Sequence, residues 1–126
     1  MTVQDFLQSY EDGQRHFSNL NFECEEGFSN KSFVDIIFEN CFLYVDFRNS
    51  DLTNARFISC NIKEIDLRGA NLTNASMTKC LVESAMFARS INTGFKFIEN
   101  YYYGLVLGQD DFETWLKNSD SYLKEL

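Results

Sequence analysis

The sequence predicts a repeat protein, a solenoid of short regular coils closed at each end by a helix. Three observations carry that expectation. Large apolar residues recur at every fifth position across residues 45–87, as in Ser50-Asp51-Leu52-Thr53-Asn54 and Ala70-Asn71-Leu72-Thr73-Asn74. A small or aliphatic residue stands two places before each, as Ala55 does before Phe57 and Ala75 before Met77. Both ends of the chain abandon the period of five for the spacing of amphipathic helices. A helix repeats about every 3.6 residues and a strand every two, so a period of five fits neither. A fixed period of this kind marks a repeat architecture.

The blocks resemble the pentapeptide-repeat family, whose motif is approximately A-(D/N)-L-x-x. The resemblance is strong over residues 45–87 and weaker over 15–44. It implies an all-β class: a right-handed, quadrilateral parallel β-helix with four pentapeptides per coil. Side-chain types agree with a narrow square coil. Two residues of each five would point inward, one large and one small, because interiors are close-packed. The other three are mostly Asp, Asn, Arg, Thr, Ser, Lys and Glu. Proline, which cannot donate to an inter-coil ladder, is absent from the chain.

Residues 1–13 read as an N-terminal capping helix. Thr2 is placed to cap it, with Asp5 three residues on. Val3, Phe6, Leu7 and Tyr10 follow i, i+3, i+4, i+7 spacing, and Gly13 suits the C-terminal stop. A solenoid needs such a lid, since each coil covers only its neighbours. The run Tyr10-x-x-Gly13-x-Arg15-x-Phe17 also resembles the lead-in to small cyanobacterial members of the family.

Residues 14–108 would form the β-helix. The first coil is irregular: the step from Phe22 to Phe28 is six residues and that from Leu43 to Phe47 is four. A one-residue insertion and a compensating deletion, both at corners, bring the chain into four columns. They are Phe17-Phe38-Phe57-Met77-Phe97, Phe22-Leu43-Ile62-Val82, Phe28-Phe47-Leu67-Phe87 and Phe33-Leu52-Leu72, the last failing at Asn92. Cys41, Cys60 and Cys80 then share a small-residue column under Leu20, and Ala55 and Ala75 lie between Ile36 and Phe95. Glu26 and Lys31 fall at inward positions of the first coil, so they either swing outward or mark a distortion.

The phase could continue through Phe97, Tyr102 and Leu107 as a partial last coil. Residues 109–126 read as one helix or two short ones, with Asp110 and Asp111 favourable at the positive N-terminal end. This segment is either a cap or a dimerisation element, as C-terminal elements are in some family members. The dimer-interface candidates are Phe112, Trp115, Leu116, Tyr122 and Leu123.

At 126 residues the chain is one domain, and four coils would make a column about 20 Å long. No apolar run is long enough for a membrane span and no signal peptide opens the sequence, so a cytoplasmic location is the expectation. Three of the four cysteines take small inward positions as small hydrophobes. Cys24, near a corner, is the candidate reactive thiol. The spacings match no zinc pattern, and no cofactor or metal is expected. Net charge is −8, unevenly spread. Residues 1–46 carry nine acids against two bases, residues 47–96 four against seven, and residues 97–126 six against two.

These features favour a non-enzymatic protein-protein interaction module of unknown partner. The outward candidates for contact are Arg48, Arg56, Lys63 and Arg68 in the basic middle, with Asp12, Glu23, Glu25 and Glu26 in the acidic first coil. An alternative follows from the resemblance alone: quinolone-resistance members are acidic DNA mimics that bind DNA gyrase. The basic middle coils, a shorter column and the lack of a continuous acidic surface count against it here. Catalysis is not expected. His16 is the only histidine and has no carboxylate or cysteine beside it in sequence, and Asp46, Asp51 and Asp66 occupy the motif's polar surface position. No phosphate loop or nucleophile elbow is present. Direct nucleic-acid binding would need a basic stripe interleaved with aromatics, which is missing.

Overall fold

The computed structural model describes residues 1–118, and the expectations for Tyr122, Leu123 and Leu126 lie outside the described residues. In chain order the elements are α1 (Val3–Glu11), β1 (His16–Ser18), β2 (Asn21–Glu25), β3 (Ile37–Glu39), β4 (Phe42–Val45), β5 (Arg56–Ile58), β6 (Ser76–Thr78), β7 (Lys96–Ile98), β8 (Asn100–Tyr102), β9 (Leu105–Leu107) and α2 (Gln109–Asn118). Strands β1, β3, β5, β6 and β7 stack in parallel as one five-stranded sheet, and β2 pairs in parallel with β4. The register aligns Phe17, Phe38, Phe57, Met77 and Phe97 in one column. Single bridges hold the other sides, among them Asp46 to Asp66 to Met86 and Asp51 to Asn71 to Ile91. The chain is therefore a parallel β-solenoid of about four turns, with the four expected columns at its centre.

Each corner is made by local chemistry. The residue two places after the large one has positive φ almost throughout: Asn19, Asn30, Asn40, Asn49, Asn54 and Asn74 lie between 54° and 62°. Asparagine tolerates this left-handed region better than most side chains. On the turn-rich sides the corner closes with a hydrogen bond three residues on, such as Ala55 N–H to Leu52 O at 3.0 Å and Ala75 N–H to Leu72 O at 2.9 Å. That is the pattern of a type II turn. The polar residue before the large one fastens the same corner. Asp51 and Asn71 accept the backbone N–H of Thr53 and Thr73 at 3.0 and 3.1 Å, and Asp46, Asn61 and Asp66 act alike. Glycine eases two of these corners: a Cβ on Gly69 would displace the Asn49 amide, and one on Gly94 that of Asn74.

The irregular first coil is resolved by two different devices, only one of them at a corner. The insertion is a β-bulge within β2, where Glu23 pairs with Tyr44 and Glu25 with Val45, leaving Cys24 extra at φ 55°. The deletion is a missing corner turn: Leu43, Val45 and Phe47 are buried at successive alternate positions, as in a plain strand. Glu26 and Lys31 are exposed, so the first coil turns both outward. Ser50 then bonds the freed backbone, donating from Oγ to Phe28 O at 2.5 Å and accepting from Lys31 N–H at 3.4 Å.

The core is one dry stack of apolar side chains, plugged at both ends. Helix α1 carries a complete capping box between Thr2 and Asp5. It drops Phe6 into the open first coil, where its ring lies 4.7 Å from Phe17, 5.4 Å from Phe22 and within 6 Å of Phe28, Phe33 and Phe38. At the far end α2 inserts Phe112 against Phe97, Phe95 and Phe87, at 4.9, 5.1 and 5.2 Å. The expected partial last coil stops early. The five-residue phase holds through Tyr102, but Tyr103 and Gly104 both have positive φ. This tight turn folds β9 back antiparallel on β8, pairing Leu107 with Asn100 instead of opening another coil.

Candidate interaction surface

The solenoid places Arg48, Arg56, Lys63, Arg68, Glu23 and Glu25 on different sides and does not assemble them into one patch. Arg48 and Arg68 stand one above the other, and each is held by an aspartate. Arg48 Nη2 lies 2.9 Å from Asp46, its Nε 3.6 Å from Asp66, and Arg68 Nη2 lies 2.6 Å from Asp66. The Arg48 hydrogen bonds hold the Asp46 carboxyl below its usual range. Two cations of the basic middle are thus spent on a ladder of ion pairs. Lys63 is exposed on another side, in a shallow hollow with Glu64, Glu83, Ser84 and Tyr103. Glu83 there accepts the Tyr103 backbone N–H at 2.8 Å, tying a coil to the tip of the β8–β9 turn. Glu23 and Glu25 belong to the bulged strand β2, and Glu23 is exposed.

Arg56 stands elsewhere, on the outer face of the five-stranded sheet. That face is a flat grid. One outward column is His16, Ile37, Arg56, Ser76 and Lys96, and the next is Ser18, Glu39, Ile58, Thr78 and Ile98. Inward burial of the central residue of each strand directs both neighbours outward. Arg56 and Lys96 are exposed, and Ile98 is 43% exposed, so the grid mixes cations with apolar side chains.

His16, which has no carboxylate beside it in sequence, gains one through the fold: Glu39 Oε1 lies 2.9 Å from its Nε2 across the β1–β3 pair. Stacking at one coil of separation brings together residues 23 positions apart, a proximity invisible without the register. Ser18 Oγ also approaches, at 3.5 Å, but it meets the same Nε2. A serine triad needs the two ring nitrogens for opposite tasks, so this exposed trio is a side-chain hydrogen bond with a neighbour.

The cysteine column is a ladder of donors. The thiols of Cys41, Cys60 and Cys80 reach the carbonyl oxygens of Phe17, Phe38 and Phe57 at 3.6, 3.3 and 3.3 Å. The adjoining Cys60 and burial raise the Cys41 thiol far above its ordinary range. Cys24 is exposed at the bulge. The next residue in that column is one that sequence reasoning passed over, Asn100. It is wholly buried; its Oδ1 accepts from Cys80 N–H at 2.9 Å and its Nδ2 donates to Met77 O at 3.0 Å. A polar residue at the next small inward position, twenty residues after Cys80, was the signal.

Of the dimer candidates, Phe112 is a plug: at 2% exposure it has no face to offer a second molecule. Trp115 and Leu116 are half-buried against the core. The exposed apolar side chains at this end belong to the hairpin instead, with Tyr103 at 70%, Leu105 at 63% and Val106 at 61%. A groove of about 500 Å³ runs between hairpin and helix, lined by Val82, Tyr102, Leu105, Leu107, Asp111, Thr114 and Trp115.

Among the described residues, no helix is long and apolar enough to cross a membrane, and no group of three or more His, Cys, Asp or Glu could hold a metal ion. No curated protein matches the chain. Residues 38–74 and 50–87 match the model for pentapeptide repeats, in eight copies.

Proposed function

This chain belongs to the pentapeptide-repeat family through residues 38–87, and from that premise we propose that it works without catalysis, as a rigid protein-interaction module. The observation that carries the proposal is the five-stranded outer face. Its side chains stand at fixed β-sheet spacing on a backbone locked by the corner turns, so little conformational freedom is lost on binding. Arg56 and Lys96 are the cations of that face best placed to meet acidic groups of a partner, with Ile58 and Ile98 supplying apolar contact in the column beside them. Arg48 and Arg68 are the weaker choice, because each already serves an aspartate. The gyrase-binding alternative gains no specific support: a duplex mimic needs a continuous acidic face, and this face carries two exposed cations.

The test is affinity capture from cell extract with the wild type, an Arg56→Glu/Lys96→Glu variant and a Lys63→Glu control on another side. A partner retained by the wild type and the control but lost with the double reversal supports the proposal. A partner recovered equally by all three forms overturns the assignment of the face. Gyrase among the retained proteins would revive the mimic and call for a supercoiling assay.

A further inference from the structure

We propose that β9 pairs with β9 of a second copy of this chain, antiparallel about a two-fold axis at Val106. The proposal goes beyond the interaction face above and does not rest on it, since it uses the opposite feature of the fold, a sheet edge at one end.

The hydrogen-bonding direction of that edge follows from the coil. Tyr101 spends both backbone groups on the last full turn: its N–H donates to Cys80 O at 2.8 Å, and its carbonyl accepts from Val82 N–H at 3.1 Å. Val106 lies directly opposite Tyr101 in the β8–β9 pair. Residues opposite one another in an antiparallel ladder either exchange both bonds or both turn away. Val106 therefore points its N–H and carbonyl outward, away from β8. The side chains on this edge are apolar, Leu105 and Val106 exposed and Leu107 half-buried against the core, and residues 100–109 contain no charge. Natural edges are normally blunted by lysine, proline or a covering element; this one has none of these among its own residues.

A second copy is favoured as the occupant because the edge is self-complementary. Gly104-Leu105-Val106-Leu107-Gly108 reads the same in both directions. Antiparallel pairing about Val106 sets Leu105 opposite Leu107 of the partner subunit, and Val106 exchanges two backbone bonds with its own equivalent. This is an isologous contact that closes on itself. Gly108 cannot extend the ladder, since its N–H is taken by Asp111 at 2.8 Å and its carbonyl by Phe112 N–H at 3.2 Å. The shared strand is therefore short, and the dimer should be weak and concentration-dependent. Each copy carries −8, so added salt should strengthen the association by screening repulsion. An acid–base contact with a different protein would respond in the opposite sense.

Sedimentation equilibrium of the purified chain tests this directly. The wild type should rise from 14.7 kDa toward twice that mass with concentration, and more readily at higher salt. Val106→Lys should stay monomeric with an unchanged thermal melt, because the side chain it replaces is exposed. Leu105→Asp, also at an exposed position, serves as an independent second variant. A wild type that remains monomeric at every concentration overturns the proposal. So does a dimer that survives both substitutions, which would place the contact on α2 or another side.

Discussion

Replacing Phe6 by alanine should cost about 4 kcal/mol and separate a true plug from a helix resting on the surface. Phe6 is fully buried and touches the rings of five other phenylalanines, drawn from all four columns of the first coil and the start of the second. A buried aromatic removes about 150–250 Å² from water. At about 25 cal/mol per Å² that is worth ~4–6 kcal/mol for the whole residue, an upper bound. Alanine keeps the Cβ and loses the ring, and Phe→Ala in other cores costs about 3–5 kcal/mol. The site collapses poorly, because the rings around it are fixed by the coil backbone, so the middle of that range applies. For a chain of this size the melting temperature should fall by about 15 °C. Urea unfolding followed by circular dichroism reads the loss as a lower midpoint. Val3, Leu7 and the Tyr10 hydroxyl, which donates to Val34 O at 2.8 Å, still anchor α1, so the variant should fold. A loss below ~1 kcal/mol would refute the reasoning, since it would mean that the first coil closes without the ring.

Asn100→Leu should cost about 2 kcal/mol in the same assay, because Cys80 N–H would be left buried without its acceptor and Met77 O would lose the amide donor; a neutral result would mean that water reaches this end of the core. Under native conditions a thiol reagent should modify one of the four cysteines, Cys24, with all four reacting after denaturation. Rapid native reaction of two or more would contradict the buried ladder.

The centre of the fold was legible because a period of five leaves one large and one small inward residue per block, and those residues reveal their column directly. The corners were legible in hindsight only. Asn49, Asn54 and Asn74 looked like ordinary surface residues until their positive φ made them the turns themselves. What the sequence hid depended on contacts between coils. The ion pairs of Arg48 and Arg68 and the approach of Glu39 to His16 follow from vertical stacking, which periodicity supplies only once the slips are placed exactly at Cys24 and between Leu43 and Phe47. The end of the repeat was hidden for another reason. Tyr102 and Leu107 keep the apolar phase, and two successive left-handed residues between them reverse the chain. Phe112 left cap and dimer interface both open because nothing in helical spacing distinguishes a residue that plugs its own core from one that joins another molecule.

Asn100 gives the column a defined length. Its amide gives Cys80 N–H an acceptor and Met77 O a donor, so the small-residue column closes on that side chain. The plugs at the two ends meet only the coils beside them. The separation between α1 and α2 is accordingly quantised: duplicating twenty residues of regular coil would lengthen the molecule by one step of about 4.8 Å, with both lids unchanged. Such a chain is a ruler whose graduations are coils, and the spacing it holds between whatever its two ends touch is written in the number of repeats.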